Sequence, residues 1–404
     1  MIRHHLSGCG PSFRVNRYVA LKIGIANLTR DVIERETSMY SSVRPGQRQH
    51  IVSPESVFEV SGPNGRHACF VLELMGPNLN TLLRRHPLFC VGKPWRRRFP
   101  KQVAKQIPKD MLPGVQSLHD CGIVHGDLHP GNILVYIPPL EEAGVSEESL
   151  AQTPDEGTLL IRRDGLQDYW ASTYLLEPAP LIDHVVLDRV PLVKITDLCA
   201  AHATAAFFQS SPVSKPLTPV ALRAPETILG LDLGKRTDIW CVGCLVFELI
   251  TGRQLFVRLE ALQGDESDET TNDEHLIQLS QVLGPMPTSL FTHWQRGPQY
   301  YGLEGELIID DGESDVSDDE KSSQATLESG DNRSQGNRVG SERGSPLATA
   351  ESFVSLEQQL RKCKPDDMEE AEEAIVLELL RWILQYDPEK RPSAEEILTH
   401  PWFL

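Results

Sequence analysis

HGDLHPGNIL, residues 125–134, is the stretch whose reading decides the fold. Asp127 is followed five residues later by Asn132, ahead of a short apolar run. A turn separates the two, so Asp127 can accept the proton of an attacking hydroxyl while the Asn132 amide oxygen ligates a metal. That pairing belongs to phosphoryl transfer. It sends the search outward for a cation to neutralise phosphates and for a second oxygen ligand.

Both are found at a distance. In VALK, residues 19–22, Lys22 sits on a strand-like run and can neutralise α/β-phosphate oxygens if a helix carboxylate holds it. Glu36, 14 residues on, is the best placed partner, with Glu34 second. Asp197, in VKITDLCAA after another strand-like run, offers the negative oxygen that a phosphate-bridging magnesium requires. A lone strand lysine is usually a solvated edge residue, and a lone aspartate is usually a cap or a turn. It is the ordered set that points to chemistry.

At 404 residues the chain is long enough for two lobes around a cleft. No apolar run reaches the length of a membrane span, and MIRHHLSGCG has neither an apolar core nor a small-residue cleavage site, so the expectation is a soluble intracellular protein with no membrane contact. The eight cysteines are scattered, which predicts reduced thiols. Cys241 and Cys244 form a CxxC, but within the apolar DIWCVGCLVFELITG and without a second ligand pair, so core packing is expected. A net charge of −18 argues against direct nucleic-acid binding. Residues 310–351 contribute 11 acidic and 4 basic side chains, a net of −7, which leaves −11 for the rest. Such a surface would attract a basic partner.

Composition shifts mark the organisation. RYVALKIGI (17–25), ESVFEV and RHACFVLEL read as strands, the last two joined by SGPNG with its Asn64-Gly65 turn signal, and DVIERETSMYSSV (31–43) reads as a helix. Helical patterns dominate from Asn78 on. Two inserts interrupt them: 138–190, mixed in composition, and 310–345, polar, acidic and expected to be disordered. EEAIVLELLRWIL reads as an amphipathic helix, and RPSAEEILTHPWFL as a capped terminal one with Ser393 and Glu396 in a capping box.

Together the motifs resemble those of the eukaryotic protein kinases: VALK, HGDLHPGN, DLC (197–199), RAPE (223–226), DIW (238–240) and the closing DPEKRPSAEEILTHPWF. The resemblance covers nearly the whole chain. It implies an α+β, bilobal kinase-like fold, with a small β-rich N-lobe in residues 1–75 and a larger α-helical C-lobe in 76–404. ATP and Mg2+ would be the cofactors. Asp127 and His129 would be catalytic, and Asn132 and Asp197 would ligate the metal. Lys22, Ala20, Glu36, Glu73 and Met75 would bind the nucleotide, while Glu226 and Arg391 would form a buried ion pair and Asp238 a buried anchor.

FVLELMGPNL, TPVALRAPETILG, LIQLSQVLGPMP and the long insert before Asp197 are similar to the fungal branch of SR-protein kinases. That implies a serine/threonine kinase acting on basic Arg/Ser-rich proteins in the cytoplasm or nucleus. Gly126 fits too, where many kinases carry an Arg that pairs with a phosphorylated activation loop. The acidic GDESDETTNDEH (264–275), with Asp265, Glu266, Asp268, Glu269, Asp273 and Glu274, is a candidate docking segment for such substrates. HGDLHPGNIL is also similar to the loop of aminoglycoside- and choline-type small-molecule phosphotransferases, but those lack RAPE and the terminal Arg motif. A pseudokinase acting by partner binding is the alternative.

Several positions depart from the kinase pattern. Only 21 residues precede Lys22, and Gly8-Cys9-Gly10 does not complete a GxGxxG, so the first strand and glycine loop read as truncated. Pro108 and Pro113 should kink or shorten the helix that feeds the catalytic loop. Cys199 replaces a loop glycine, and His129 replaces a lysine.

Overall fold

The computed structural model describes residues 2–5, 16–25, 30–62, 65–89, 97–153, 157–161, 174–176, 179–188, 191–203, 217–257, 268–302, 307–308 and 354–404. These fall into two compact units, one of residues 1–258 with 355–404 and one of residues 259–354.

The first unit opens on an antiparallel sheet of β1 (Ile2–His5), β2 (Asn16–Ile23), β3 (Pro54–Gly62) and β4 (Gly65–Glu73) in the order β1-β2-β4-β3, with α1 (Arg30–Ser42) following β2 in sequence. The apolar run Ala68–Leu72 is buried, which places β4 at the centre, while β3 is an exposed edge. Gly62 pairs with Gly65 where the sequence signals a hairpin. A strand also stands upstream of Lys22, where truncation was expected: β1 pairs with β2, Ile2 opposite Val19. Its sequence IRHH has no apolar alternation, so it carries no strand signal. The Gly8-Cys9-Gly10 reading lies outside the described residues.

A helical region follows. The helices α2 (Leu79–Arg85) and α3 (Lys101–Asp120) lead to the short strands β5 (Ile123–Val124) and β6 (Ile133–Val135). Then come α4 (Glu147–Leu150), β7 (Thr158–Leu159), β8 (Tyr174–Leu175), β9 (Val193–Ile195), β10 (His202–Ala203), α5 (Pro225–Ile228) and α6 (Lys235–Thr251). α3 corrects the sequence reading, since it runs 20 residues without a break through Pro108 and Pro113. Each proline costs about 3 kcal/mol in a free helix, but here Ala104, Ile107, Met111, Leu112, Val115 and Leu118 are all buried and the helix packs on α6, β9 and α11 (Ala394–Leu398). Tertiary packing outweighs the two missing donors. Both cysteines of the CxxC are buried within α6, whose apolar residues run around the whole helix.

The insert at 138–190 begins as part of the core. Leu140 and Leu150 are buried against Tyr18 of β2 and Ile137, and the Tyr18 hydroxyl donates to the Val145 carbonyl at 3.0 Å. The acidic insert at 310–345 lies outside the described residues. Among described helices none is long and apolar enough to cross a membrane.

The second unit contains α7 (Asp268–Leu283) and α8 (Thr288–Phe291). It corrects the docking reading of 264–275 at one residue. Asp273 is buried and committed, accepting from Trp294 Nε1 at 2.6 Å, Arg296 Nε at 2.9 Å and the Tyr300 hydroxyl at 3.1 Å. Its place on the inner face of α7 is invisible in a segment that reads as uniformly acidic. Asp265 and Glu266 lie outside the described residues.

The first unit closes with α9 (Leu356–Cys363), α10 (Glu370–Ile383) and α11, the last capped by the Ser393–Glu396 box. Just before that cap, fully buried Arg391 grips Glu226 with both guanidinium arms, Nη1 to Oε1 at 2.5 Å and Nη2 to Oε2 at 2.8 Å. The guanidinium also lies 5.0 Å from the Trp240 ring. Removing one member of a buried pair leaves the other charge uncompensated. Glu226→Ala should therefore lower unfolding free energy by about 3–5 kcal/mol, read by chemical denaturation; a loss below about 1 kcal/mol, the scale of a surface pair, would show that the pair does not anchor this end of the unit.

Candidate active site

The loop at 125–132 is shaped from below by one carboxylate. Asp238, in the first turn of α6, is buried, and it accepts from the backbone N–H of His125 at 2.9 Å and of Gly126 at 3.0 Å. His119, at the end of α3, adds a third donor through Nε2 at 2.9 Å. Burial works to raise the Asp238 carboxyl, yet the hydrogen bond and charge of His119 and the His125 contacts outweigh it and hold the group below the usual range. Buried His125 accepts from the Asp127 N–H on Nδ1, which leaves Nε2 to donate to the Thr196 carbonyl at 3.1 Å. Gly126 adopts φ 75°, and a Cβ there would lie 3.0 Å from the Ala200 carbonyl oxygen. Its own carbonyl accepts from the Thr218 hydroxyl at 2.6 Å.

Above this base, Asn132 Nδ2 donates to the Asp127 carbonyl at 2.9 Å and to Asp127 Oδ2 at 3.2 Å. Asp127 Oδ1 is buried and takes no hydrogen bond among the described residues. A buried carboxylate oxygen without a donor is costly, and this one is left as an unsatisfied acceptor. His129 folds back so that Nδ1 accepts from the Gly131 N–H at 3.0 Å, which puts its proton on Nε2, 3.6 Å from Asp127 Oδ2. Position 131 has to be glycine, because a Cβ would meet the His129 ring at 2.4 Å.

The cation lies across from this loop. Lys22 Nζ, on β2, donates to Glu36 Oε1 at 2.9 Å and to Asp197 Oδ1 at 2.7 Å. Glu36, not Glu34, is therefore the carboxylate from α1 that reaches it. Burial would lower the Lys22 ammonium, but Asp197 and then Glu36 raise it overall. Burial likewise works to raise Asp197, and Lys22 outweighs it and holds the carboxyl low. Asp197 has φ 68° and ψ 79° and is the sole described non-glycine residue with positive φ, a conformation that costs about 1–3 kcal/mol. Cys199 lies in the 3-10 turn Leu198–Ala200 without a positive φ, so the glycine it replaces is not needed for the turn. Burial, then the Asp197 carboxylate, pushes its thiol up to about 12, so it stays protonated at neutral pH.

Ala20 packs against a buried cluster of Val52, Ala68, Phe70, Leu72 and Met75, joined by Leu134 from β6. This apolar layer on the Lys22 side suits a flat heterocycle. The Glu73 carboxylate is occupied, because Lys194 on β9 donates to Oε1 at 2.8 Å and to Oε2 at 2.7 Å. Sequence reasoning missed Lys194, His119, Thr218 and Tyr40. The Tyr40 hydroxyl accepts from the Leu198 N–H at 3.3 Å, and its position four residues after Glu36 was the available signal; the other three have partners far away in sequence.

Asp197 meets Lys22 through Oδ1, and Asn132 meets Asp127 through its amide nitrogen. One carboxylate and one amide form a hard, sparse donor set, which fits a divalent cation that fills its sphere with phosphate and water and does not fit zinc.

A family model described as protein kinase domain matches residues 14–139 and 182–403. Among curated proteins, the chain is 27% identical to serine/threonine-protein kinase SRPK of Physarum polycephalum, over 96% of this chain and 79% of that protein. It is 25% identical to serine/threonine-protein kinase AFC2 of Arabidopsis thaliana, over 83% and 59%, and 23% identical to protein kinase dsk1 of Schizosaccharomyces pombe, over 72% and 65%. The chain thus spans less than two thirds of AFC2 and dsk1. A solved kinase domain superposes with a TM-score of 0.57 at 20% identity, over 96% of this chain and 88% of that one, a likeness of fold.

The Asp238 anchor gives a pH signature. Its carboxyl is depressed in the folded chain, so its stabilisation is present above the ordinary aspartate value of about 3.9 and is lost as pH falls below it. Asp238→Asn should melt lower at pH 7 and lose less on going from pH 5 to pH 3 than the unaltered protein does. Parallel curves in differential scanning calorimetry would sink this role.

Proposed function

The chain belongs to the protein kinase family, and from that premise we propose that it transfers the γ-phosphate of ATP to serine or threonine in Arg/Ser-rich proteins. The kinase domain implies ATP and a divalent metal, and Mg2+ is the choice that suits Asp197 and Asn132. The observation that carries the reading is Asp127 Oδ1, buried and without a donor, while its twin oxygen is held by Asn132.

The adenine would lie against Ala20, Leu134 and Met75, with the main chain at Glu73 and Met75 as its polar edge. Lys22 would hold phosphate oxygens, kept in place by Glu36. A substrate hydroxyl donates to Asp127 Oδ1; as its oxygen bonds to the γ-phosphorus, its proton passes to Asp127 and the bond to the ADP oxygen breaks. His129, whose Nε2 faces Asp127 Oδ2 at 3.6 Å, lines the same side and would offer a hydrogen bond to the transferred group. Bound at Asp197 and Asn132, Mg2+ would supply positive charge to offset that of the phosphates.

The substrate class rests on the likeness to SR-protein kinases and on the acidity of the chain, which favours arginine-rich partners. The unbroken α3 supports activity over a purely binding role, because the helix that carries His119 in its last turn reaches the catalytic loop intact.

Radiolabelled transfer from ATP with Mg2+ to an Arg/Ser-repeat peptide tests the proposal. Asp127→Asn should lower turnover by about 10²–10⁴-fold, the contribution of a positioned base, with nucleotide binding kept, and Asp197→Ala should remove magnesium-dependent binding. Equal transfer to an acidic peptide would reject the substrate class. Nucleotide binding without any transfer would reject the activity and leave the partner-binding alternative.

A further inference from the structure

The Lys194–Glu73 pair is unused by the chemistry above, yet its placement is specific. β9 and the turn after it carry two charges three residues apart, Lys194 and Asp197. Each reaches a neighbouring strand of the N-terminal sheet: Lys194 bonds Glu73 on β4, and Asp197 bonds Lys22 on β2. β2 and β4 are paired, with Val19 opposite Glu73 and Lys22 opposite Phe70, so the two contacts fall at staggered points of one strand pair. Their polarities are opposed, cation to anion at one point and anion to cation at the other. Sliding β9 by one contact would set like charges together, so the pattern accepts a single register.

From this geometry we infer that Lys194 is a positioning residue of the nucleotide site, acting through Glu73 on the segment 73–76; the inference rests on the function proposed above. The Lys22–Asp197 contact joins groups that nucleotide and metal would claim. Lys194–Glu73 involves neither and persists while the other contact is exchanged. Its two short bonds, with Lys194 partly buried, hold the end of β4 where the chain turns into Leu74–Gly76. That segment is tied to β6 as well, since Gly76 N–H donates to the Val135 carbonyl at 2.7 Å and Val135 N–H to the Pro77 carbonyl at 3.0 Å. Glu73 thus presents its main chain to a base because its side chain is anchored from β9.

The test uses Lys194→Met, which keeps the aliphatic stem, Glu73→Gln, and the exchanged pair Lys194→Glu with Glu73→Lys, all in the full chain. Each single change should raise the KM for ATP roughly three- to tenfold, the effect of losing a modest ion pair, and in Lys194→Met kcat should stay within about twofold because Asp127 and Lys22 are untouched. Amide hydrogen exchange of residues 74–76 should quicken in both. The exchanged pair should restore slow exchange and most of the affinity, which a merely space-filling role would not do. Unaltered KM and exchange in both single variants, or no recovery in the exchanged pair, would overturn the inference. If the unaltered chain neither binds ATP nor transfers phosphate, the proposed function fails instead, and the exchange measurement still decides whether Lys194 sets the segment.

Discussion

A carboxylate with no access to water, Asp238, is the constraint on which the active loop depends. Peptide N–H groups at two consecutive residues rarely point at one acceptor, because the chain must turn sharply to aim both. Here the turn is made at Gly126, whose positive φ brings its N–H onto Asp238 beside that of His125. An isolated buried carboxylate would be prohibitively costly. Three donors make it tolerable, and that need fixes the loop as firmly as the loop fixes the acid.

From Asp238 the order spreads along α6. One residue before it, Thr237 donates at 3.3 Å to Glu226, which Arg391 holds; two residues after it, Trp240 lies beside that same guanidinium; and the Cys241 thiol donates to the Leu222 carbonyl at 3.3 Å. RAPE, DIW and the terminal Arg motif, far apart in sequence, are therefore one structure around the start of a single helix. The CxxC is part of this packing, since its first thiol donates to the backbone and both cysteines are buried.

The fold and the charged members of the site were legible where local pattern and function coincide. Lys22 on a strand, Glu36 on the following helix and Asp127 with Asn132 around a turn need only short-range geometry, and they are placed accordingly. What escaped was set by tertiary context. IRHH has no apolar period, yet it pairs with β2 because an open strand edge supplies its hydrogen bonds. The prolines of α3 argue against a helix that buried packing enforces. Asp273 looks like its acidic neighbours and differs in being buried against Trp294 and Arg296. Lys194 and His119 owe their importance to partners 121 and 119 residues away, which no window on the sequence can contain.

The departures from the kinase pattern, taken together, are each absorbed within a few residues. At position 126 the backbone needs positive φ beside the Ala200 carbonyl, a conformation glycine meets without strain where a Cβ would crowd. His129 lacks the reach of a lysine, but Gly131 lets the ring fold back, so one nitrogen is fixed by the backbone and the other faces Asp127. Cys199 costs no backbone strain because Asp197 alone takes the left-handed turn, steadied by Lys22, and the thiol beside it stays neutral. Each of these residues is thus accommodated by its own neighbours close to Asp127, Asn132 or Asp197.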